Sequence, residues 1–174
     1  MKISMKIRKG TTDDIPAILG LLDGAVAWLV SQGRTRQWGT RPWTERPGAV
    51  EMVHTYVAAG TPWIAEVDGV PAGTLTLSEG PGGYVAPAGE PERYVHLLAA
   101  DHRFAGHGVG GALLAHAAEE TRRAGVSLLR VDCYAGDDGK LVAYYEGNGF
   151  VRTEPFTVTV DGADWPGQVL ARRV

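Results

Sequence analysis

The stretch DHRFAGHGVGGA, residues 101–112, decides how this chain is read. Ahead of it, residues 94–100 are apolar on both alternating faces apart from His96, the pattern of a central strand; behind it a helix runs to about residue 124. Between strand and helix stand Gly106, Gly108, Gly110 and Gly111. Glycines so placed free a run of backbone N–H groups from side-chain cover and aim them at one place in front of the helix N-terminus. Phosphate suits that geometry, because charge-assisted hydrogen bonds contribute roughly 1.5–3 kcal/mol each and several hold a diphosphate without a lysine. The plainer alternative is a turn that only lets the helix pack closely. On the phosphate reading, valine at Gly110 would crowd the anion and meet backbone angles that a β-branched residue does not tolerate.

Outward from this segment the chain reads as alternating strands and helices. Residues 1–8 alternate apolar and polar like a strand. TTDD at 11–14 supplies a helix cap, Pro16 sits near the start, and Ile15, Ile18, Leu19, Leu22, Val26 and Leu29 recur at helical spacing until Gly33. A shorter helix is expected over 49–59, then a hairpin of 63–67 and 70–77 around Asp68-Gly69, a pair that tolerates the positive φ of a type I′ turn. Residues 78–93 are rich in Gly and Pro and read as a long surface loop of the kind that borders a site. After the glycine segment come a strand at 128–133, a short helix at 140–148, and a last hairpin of 156–160 and 169–172 around Asp161-Gly162. No repeat, low-complexity tract or linker interrupts this order, so residues 1–174 are expected to form a single domain.

Composition agrees with that. At 174 residues, 44% hydrophobic and 21% charged, the chain is an ordinary globular one with room for a sizeable core. A net charge of −3 supplies no global basic field for nucleic acid or anionic membrane. Cys133 is the only cysteine, which excludes an intramolecular disulfide and a cysteine metal cluster. No metal is expected. No apolar h-region opens the chain, and no uninterrupted apolar run reaches the roughly 18 residues of a spanning helix, so a cytoplasmic protein is expected. RTRQWGTRPWTER at 34–46 interleaves arginines with Trp38 and Trp43. It reads as a solvated loop pinned by its tryptophans, as the lip of an acceptor site for an acidic or aromatic molecule, or as a nucleic-acid patch.

Two nucleotide-binding alternatives can be weighed on spacing. Gly106, Gly108 and Gly111 satisfy G-x-G-x-x-G, with Asp132 ending the next strand where a dinucleotide fingerprint places its acid. Against it, five residues separate the strand from the first glycine and only 42 follow Asp132, too few to complete a doubly wound sheet. A Walker-type P-loop is excluded because no Gly-Lys-Ser/Thr follows the turn.

Residues 101–112 resemble motif A of the GNAT superfamily, the acyl-CoA-dependent N-acetyltransferases, whose Arg/Gln-x-x-Gly-x-Gly/Ala pattern falls here on Ala105, Gly108 and Gly110. LLAADH at 97–102 looks like the end of the family's fourth strand, and YEGNGF at 145–150 is similar to its Tyr-x-x-x-Gly-Phe segment. Two such motifs in this order, joined by a helix and a strand, are far more specific than either alone. The chain departs from the family at Ala105, where Arg or Gln is usual, leaving backbone N–H groups, with Arg103 or His107, to hold the diphosphate. Asp138 stands where the family often has Asn.

The resemblance implies an α/β (α+β) fold: a mixed, mostly antiparallel sheet of about seven strands flanked by about four helices, splayed between strands 4 and 5 where pantetheine inserts. It implies acetyl-CoA as cosubstrate, held through backbone at Leu98 and Ala100 and through Ala105, Gly106, Gly108, Gly110 and Gly111. Tyr145 maps to the family's general acid, which protonates the leaving thiolate. His96 is the candidate base on the fourth strand, although a satisfied core histidine is the plainer reading. The acceptor is then a primary amine, on a small molecule or a peptide, which attacks the thioester in a ternary complex without nucleic acid or membrane; a homodimer is compatible with this. A non-catalytic acyl-CoA-binding module is the alternative, and an NAD(P)-dependent oxidoreductase the third reading. Cys133, a strand cysteine with no activating partner in view, is not a nucleophile.

Overall fold

The computed structural model describes residues 4–174. Among the described residues seven strands form one mixed sheet in the order β1-β2-β3-β4-β5-β7-β6, accompanied by four α-helices. This is the expected fold class. The chain divides into two compact units, one of residues up to Ser78 with His96–His116, the other of Glu79–Val95 with Ala117–Val174.

The first unit holds β1 (Met5–Lys9), α1 (Ile15–Ser31), α2 (Pro47–Ala59), β2 (Thr61–Val67), β3 (Val70–Ser78), and parts of β4 (Arg93–Ala100) and α3 (Val109–Arg123). Residues 1–3 of the first expected strand lie outside the described residues. Thr11 caps the entry to α1, where the Thr11 N–H donates to Asp14 Oδ2 at 2.8 Å and Arg8 clamps the same carboxylate. Asp68 (φ 50°) and Gly69 (φ 81°) make the expected left-handed turn between β2 and β3. α2 begins at Pro47, two residues before the sequence expectation, because proline at the first helical position loses no hydrogen bond there.

Ile15, Ile18, Leu22 and Val26 of α1 pack with Val53 and Val57 of α2, Ile64 of β2 and Trp43. Leu21 joins this buried face in place of the expected Leu19, which is only partly buried. By length and composition Thr12–Ser31 could cross a membrane; Ile15, Ile18, Leu21, Leu22 and Val26 of it fill this core, while Trp28 and Val30 are exposed. Trp43 is buried and Trp38 meets it edge-on at 5.6 Å, so the tryptophans of the Arg-rich loop serve to anchor it. Gly73 of β3 lets α3 come close: a Cβ there would stand 2.6 Å from Val109 Cγ1 and 3.2 Å from the Ala99 carbonyl oxygen.

The second unit holds the remainder of β4 and α3 with β5 (Leu128–Tyr134), α4 (Lys140–Gly147), β6 (Val151–Val160) and β7 (Ala163–Arg173). β7 runs antiparallel between β5 and β6. β4 and β5 are parallel, and their ladder consists of two pairs, Arg93 with Leu129 and Tyr94 with Arg130. The last hairpin turns on Asp161 (φ 51°) and Gly162 (φ 75°), but its strands begin earlier than the sequence pattern indicates. β6 is exposed along most of its length and shifts register between Arg152 and Pro155, so it lacks the apolar alternation that marks a strand.

An ion pair fastens the 79–92 loop to this unit. The Arg130 guanidinium donates to Glu92 at 2.7 and 3.0 Å and to the Ala86 carbonyl at 2.9 Å, while Ala88 N–H donates to Glu92 at 2.8 Å. Both ions are buried, and removing Glu92 leaves the Arg130 cation facing only the exposed Glu154 carboxylate at 3.7 Å among the ion pairs described. Glu92→Ala is expected to cost about 3 kcal/mol in urea unfolding. A loss under about 1 kcal/mol would mean the pair is solvated like a surface bridge.

Candidate functional site

Strand β4 carries the least expected feature of the backbone. Leu97 lies in the left-handed region at φ 57°, inside a strand and with a bulky side chain. Such a residue is strained by roughly 1–3 kcal/mol and persists only where its surroundings hold it. Leu98, expected to offer backbone polar groups, comes directly after it; Leu97 and Leu98 are half-buried and Ala100 is exposed. Nothing in the composition of β4 marks this kink, since leucine is a poor left-handed residue.

After Asp101 the chain makes one short turn of 3-10 helix at His102–Phe104 and then the glycine segment. Ala105, Gly106, His107 and Gly108 are all exposed. Gly106 (φ 86°) and Gly108 (φ 70°) take left-handed angles. Gly110 and Gly111, by contrast, lie in the first turn of α3, so the backbone-angle argument made for Gly110 is corrected and belongs to Gly108. The first i→i−4 bond of the helix runs from Ala112 N–H to the Gly108 carbonyl at 2.9 Å. The N–H groups of Val109, Gly110 and Gly111 therefore have no acceptor within the helix, and these are the donors an anion would take.

Ala105 contributes no side chain, and Arg103 is committed elsewhere. Its guanidinium grips Asp101 at 2.7 and 3.0 Å, and this pairing holds the Asp101 carboxyl below the usual carboxylate range. His107 stays exposed beside the two left-handed glycines. His96 is buried, with Ser78 Oγ 2.8 Å from its Nε2 and the Tyr56 ring stacked on it at 4.1 Å.

The second unit holds Tyr145 on the buried side of α4, its ring edge-on to Phe150 at 6.0 Å and to Tyr144 at 5.6 Å. Burial pushes the Tyr145 phenol well above its ordinary range, with the charges of Cys133, Tyr144 and Asp132 adding to the effect. The phenol thus stays protonated near neutrality, as a proton donor must. Tyr144 is 40% exposed, a different environment for the adjacent position. Cys133 is buried and its thiol is pushed up to about 12 by burial and by Asp132, which leaves it inert near neutrality.

Sequence reasoning gave Asp132 only the ribose role of the dinucleotide alternative. In the structure its carboxylate accepts from the Tyr94 hydroxyl at 2.6 Å and from the Tyr84 hydroxyl at 3.2 Å. Tyr94 is fully buried, and burial together with Asp132 raises its phenol so that it remains a donor. No cluster of three or more His, Cys, Asp or Glu side chains is placed to hold a metal among the described residues.

A seven-stranded mixed sheet whose fourth strand leads through an exposed glycine turn into a helix defines the class to which the chain belongs. The Acetyltransferase (GNAT) family profile matches residues 24–150. The chain is a member of the GNAT acetyltransferase family. A search of curated proteins finds no match. Among solved structures, the chain is similar to a GCN5-related N-acetyltransferase from Rhodopseudomonas palustris, at 15% identity and a TM-score of 0.71, covering 100% of this chain and 99% of that one. It is similar also to a GNAT family acetyltransferase from Elizabethkingia anophelis with acetyl-CoA bound, at 16% identity and a TM-score of 0.63, covering 98% of each chain. The ribosomal-protein-S18-alanine N-acetyltransferase of Escherichia coli shares 20% identity and a TM-score of 0.67 over 98% of this chain and 94% of its own.

Proposed function

We propose that the chain acts as one transferase domain that moves an acetyl group from acetyl-CoA to a primary amine by direct attack in a ternary complex. The observation that carries this is the exposed turn at Gly106 and Gly108 in front of the first-turn N–H groups of Val109, Gly110 and Gly111, which have no acceptor within the helix. These residues fit a diphosphate. Backbone at Leu98 and Ala100, beside the left-handed Leu97, is the part of β4 proposed to meet the pantetheine and the thioester carbonyl, an oxyanion-type role that needs no side chain. With Ala105 lacking a side-chain donor and Arg103 gripping Asp101, the load falls on backbone N–H groups, aided by His107.

The proposed step forms a bond from the amine nitrogen to the carbonyl carbon and breaks the carbon–sulfur bond. Tyr145 gives its proton to the departing thiolate, a role supported by a phenol that burial keeps protonated. His96 is proposed to accept the amine proton, with Ser78 fixing its ring. The acceptor is a small-molecule or peptide amine; a cytoplasmic setting fits this chemistry.

Calorimetric titration is expected to show acetyl-CoA binding and no NAD(P) binding. Gly108→Val, folded by circular dichroism, should lose most of the acetyl-CoA affinity, because valine resists φ near +70° and covers the donors. Micromolar NAD(P) binding without a response to acetyl-CoA would sink the proposal. Unchanged affinity in Gly108→Val would reduce the glycine segment to a packing turn.

Once an accepted amine is in hand, Tyr145→Phe should lower turnover by about 10²–10⁴-fold with little change in acetyl-CoA affinity, while Tyr144→Phe stays near normal. Thiolate leaves readily, which favours the lower end. In the same assay His96→Gln should flatten the acid limb of the pH–rate profile, which in wild type falls as the base becomes protonated. Wild-type turnover in Tyr145→Phe removes that acid from the mechanism, and an unaltered limb in His96→Gln shows that the proton leaves elsewhere.

A further inference from the structure

The polar cluster around Asp132 is more than a clip between strands. Tyr94, immobile in the core, fixes one carboxylate oxygen, whereas the other meets Tyr84, which is 52% exposed on the 79–92 loop. Asp132 itself is only half-buried. From Tyr84 a row of rings continues within the same unit: Phe156 at 5.4 Å, then Trp165 at 6.2 Å from Phe156, and both are half-buried. The Phe156 ring lies directly over Gly167, whose missing side chain leaves it that place. A half-exposed aromatic row beside a carboxylate puts apolar area and negative charge on one surface.

Charge decides what such a surface prefers. Ring faces carry negative electrostatic potential and attract cations, the carboxylate attracts them more strongly, and the rings also offer apolar area. The Arg130 cation, 5.4 Å from the Tyr94 ring, is bound in two hydrogen bonds to Glu92 and does not reverse this preference. Asp132 also acts electrostatically on Tyr145, the proposed proton donor.

We propose that Asp132 with the Tyr84, Phe156 and Trp165 rings is the acceptor subsite, which captures an amine with a flat apolar body: the ammonium meets the carboxylate, the body lies on the rings, and the nitrogen gives up its proton to the base before it attacks. The proposal rests on the acetyl-transfer reading. It favours arylalkylamines and disfavours acceptors with an acid group next to the body, unlike the acidic molecule that the Arg-rich segment 34–46 evokes from sequence.

Phenethylamine and its anionic counterpart 3-phenylpropionate, titrated calorimetrically into the protein, test this without relying on transfer. Phenethylamine should bind and 3-phenylpropionate should not. Asp132→Asn, which keeps the shape and can still accept from Tyr94, should weaken phenethylamine at least tenfold, and Phe156→Leu on the exposed strand severalfold. Both variants should retain wild-type circular dichroism and acetyl-CoA affinity. No phenethylamine binding at millimolar concentration, equal binding of 3-phenylpropionate, or full affinity in Asp132→Asn overturns the subsite. If phenethylamine binds through Asp132 while acetyl-CoA does not bind at all, the amine site stands and the acetyl-transfer reading falls. If acetyl-CoA binds and the amine ignores Asp132, the reverse holds.

Discussion

A leucine held in a left-handed conformation inside a strand is the constraint on which this structure turns. β4 must be a well-formed strand up to His96, because Tyr94 is locked in the core, and it must then give up its regular course at Leu97. The strain is tolerable because flanking residues are fixed: His96 between Ser78 and Tyr56 on one side, Ala99 buried and Asp101 N–H bonded to the Ala72 carbonyl at 2.8 Å on the other. Beyond Asp101 it is the lack of side chains that shapes the chain. Gly73 admits the start of α3 against β3, and the left-handed glycines at 106 and 108 turn the backbone into that helix.

The second unit solves a different problem, that of putting polar groups into a sheet. Arg130 and Asp132, both on β5, are each met by groups from the segment before or at the start of β4: Glu92 for the cation, Tyr84 and Tyr94 for the carboxylate. The two arrangements differ in consequence. Glu92 and Arg130 are sealed from water and hold the 79–92 loop in place, whereas Asp132 and Tyr84 remain within reach of solvent. A buried pair is a fastening, and a half-exposed carboxylate among rings is a surface with a preference for cations.

Much of the fold was legible because it is written in local chemistry. Asp68-Gly69 and Asp161-Gly162 announce hairpin turns, the helical spacing of Ile15, Ile18, Leu22 and Val26 announces the buried face of α1, and the glycine segment announces a strand-to-helix turn. The illegible parts depend on contacts distant in sequence. No glycine or asparagine marks Leu97 as left-handed. The early start of β6 at Val151 hides in an exposed strand with a proline and a register shift. Asp132 gains its partners from residues 84 and 94, a distance that spacing arguments do not bridge. Within the glycine segment, composition located the turn but not the residue at which the helix begins, and so placed the strained angle at Gly110 when Gly106 and Gly108 bear it.

If backbone N–H groups of the glycine segment and of kinked β4 hold the acyl donor, they must lose their access to water when it binds. Amide hydrogen exchange of the whole protein, with and without saturating acetyl-CoA, tests this most directly. Slowed exchange is expected, concentrated at residues 106–111 and 97–100. Acetyl-CoA that binds while leaving both stretches exchanging at their free rates, with protection elsewhere, would contradict it.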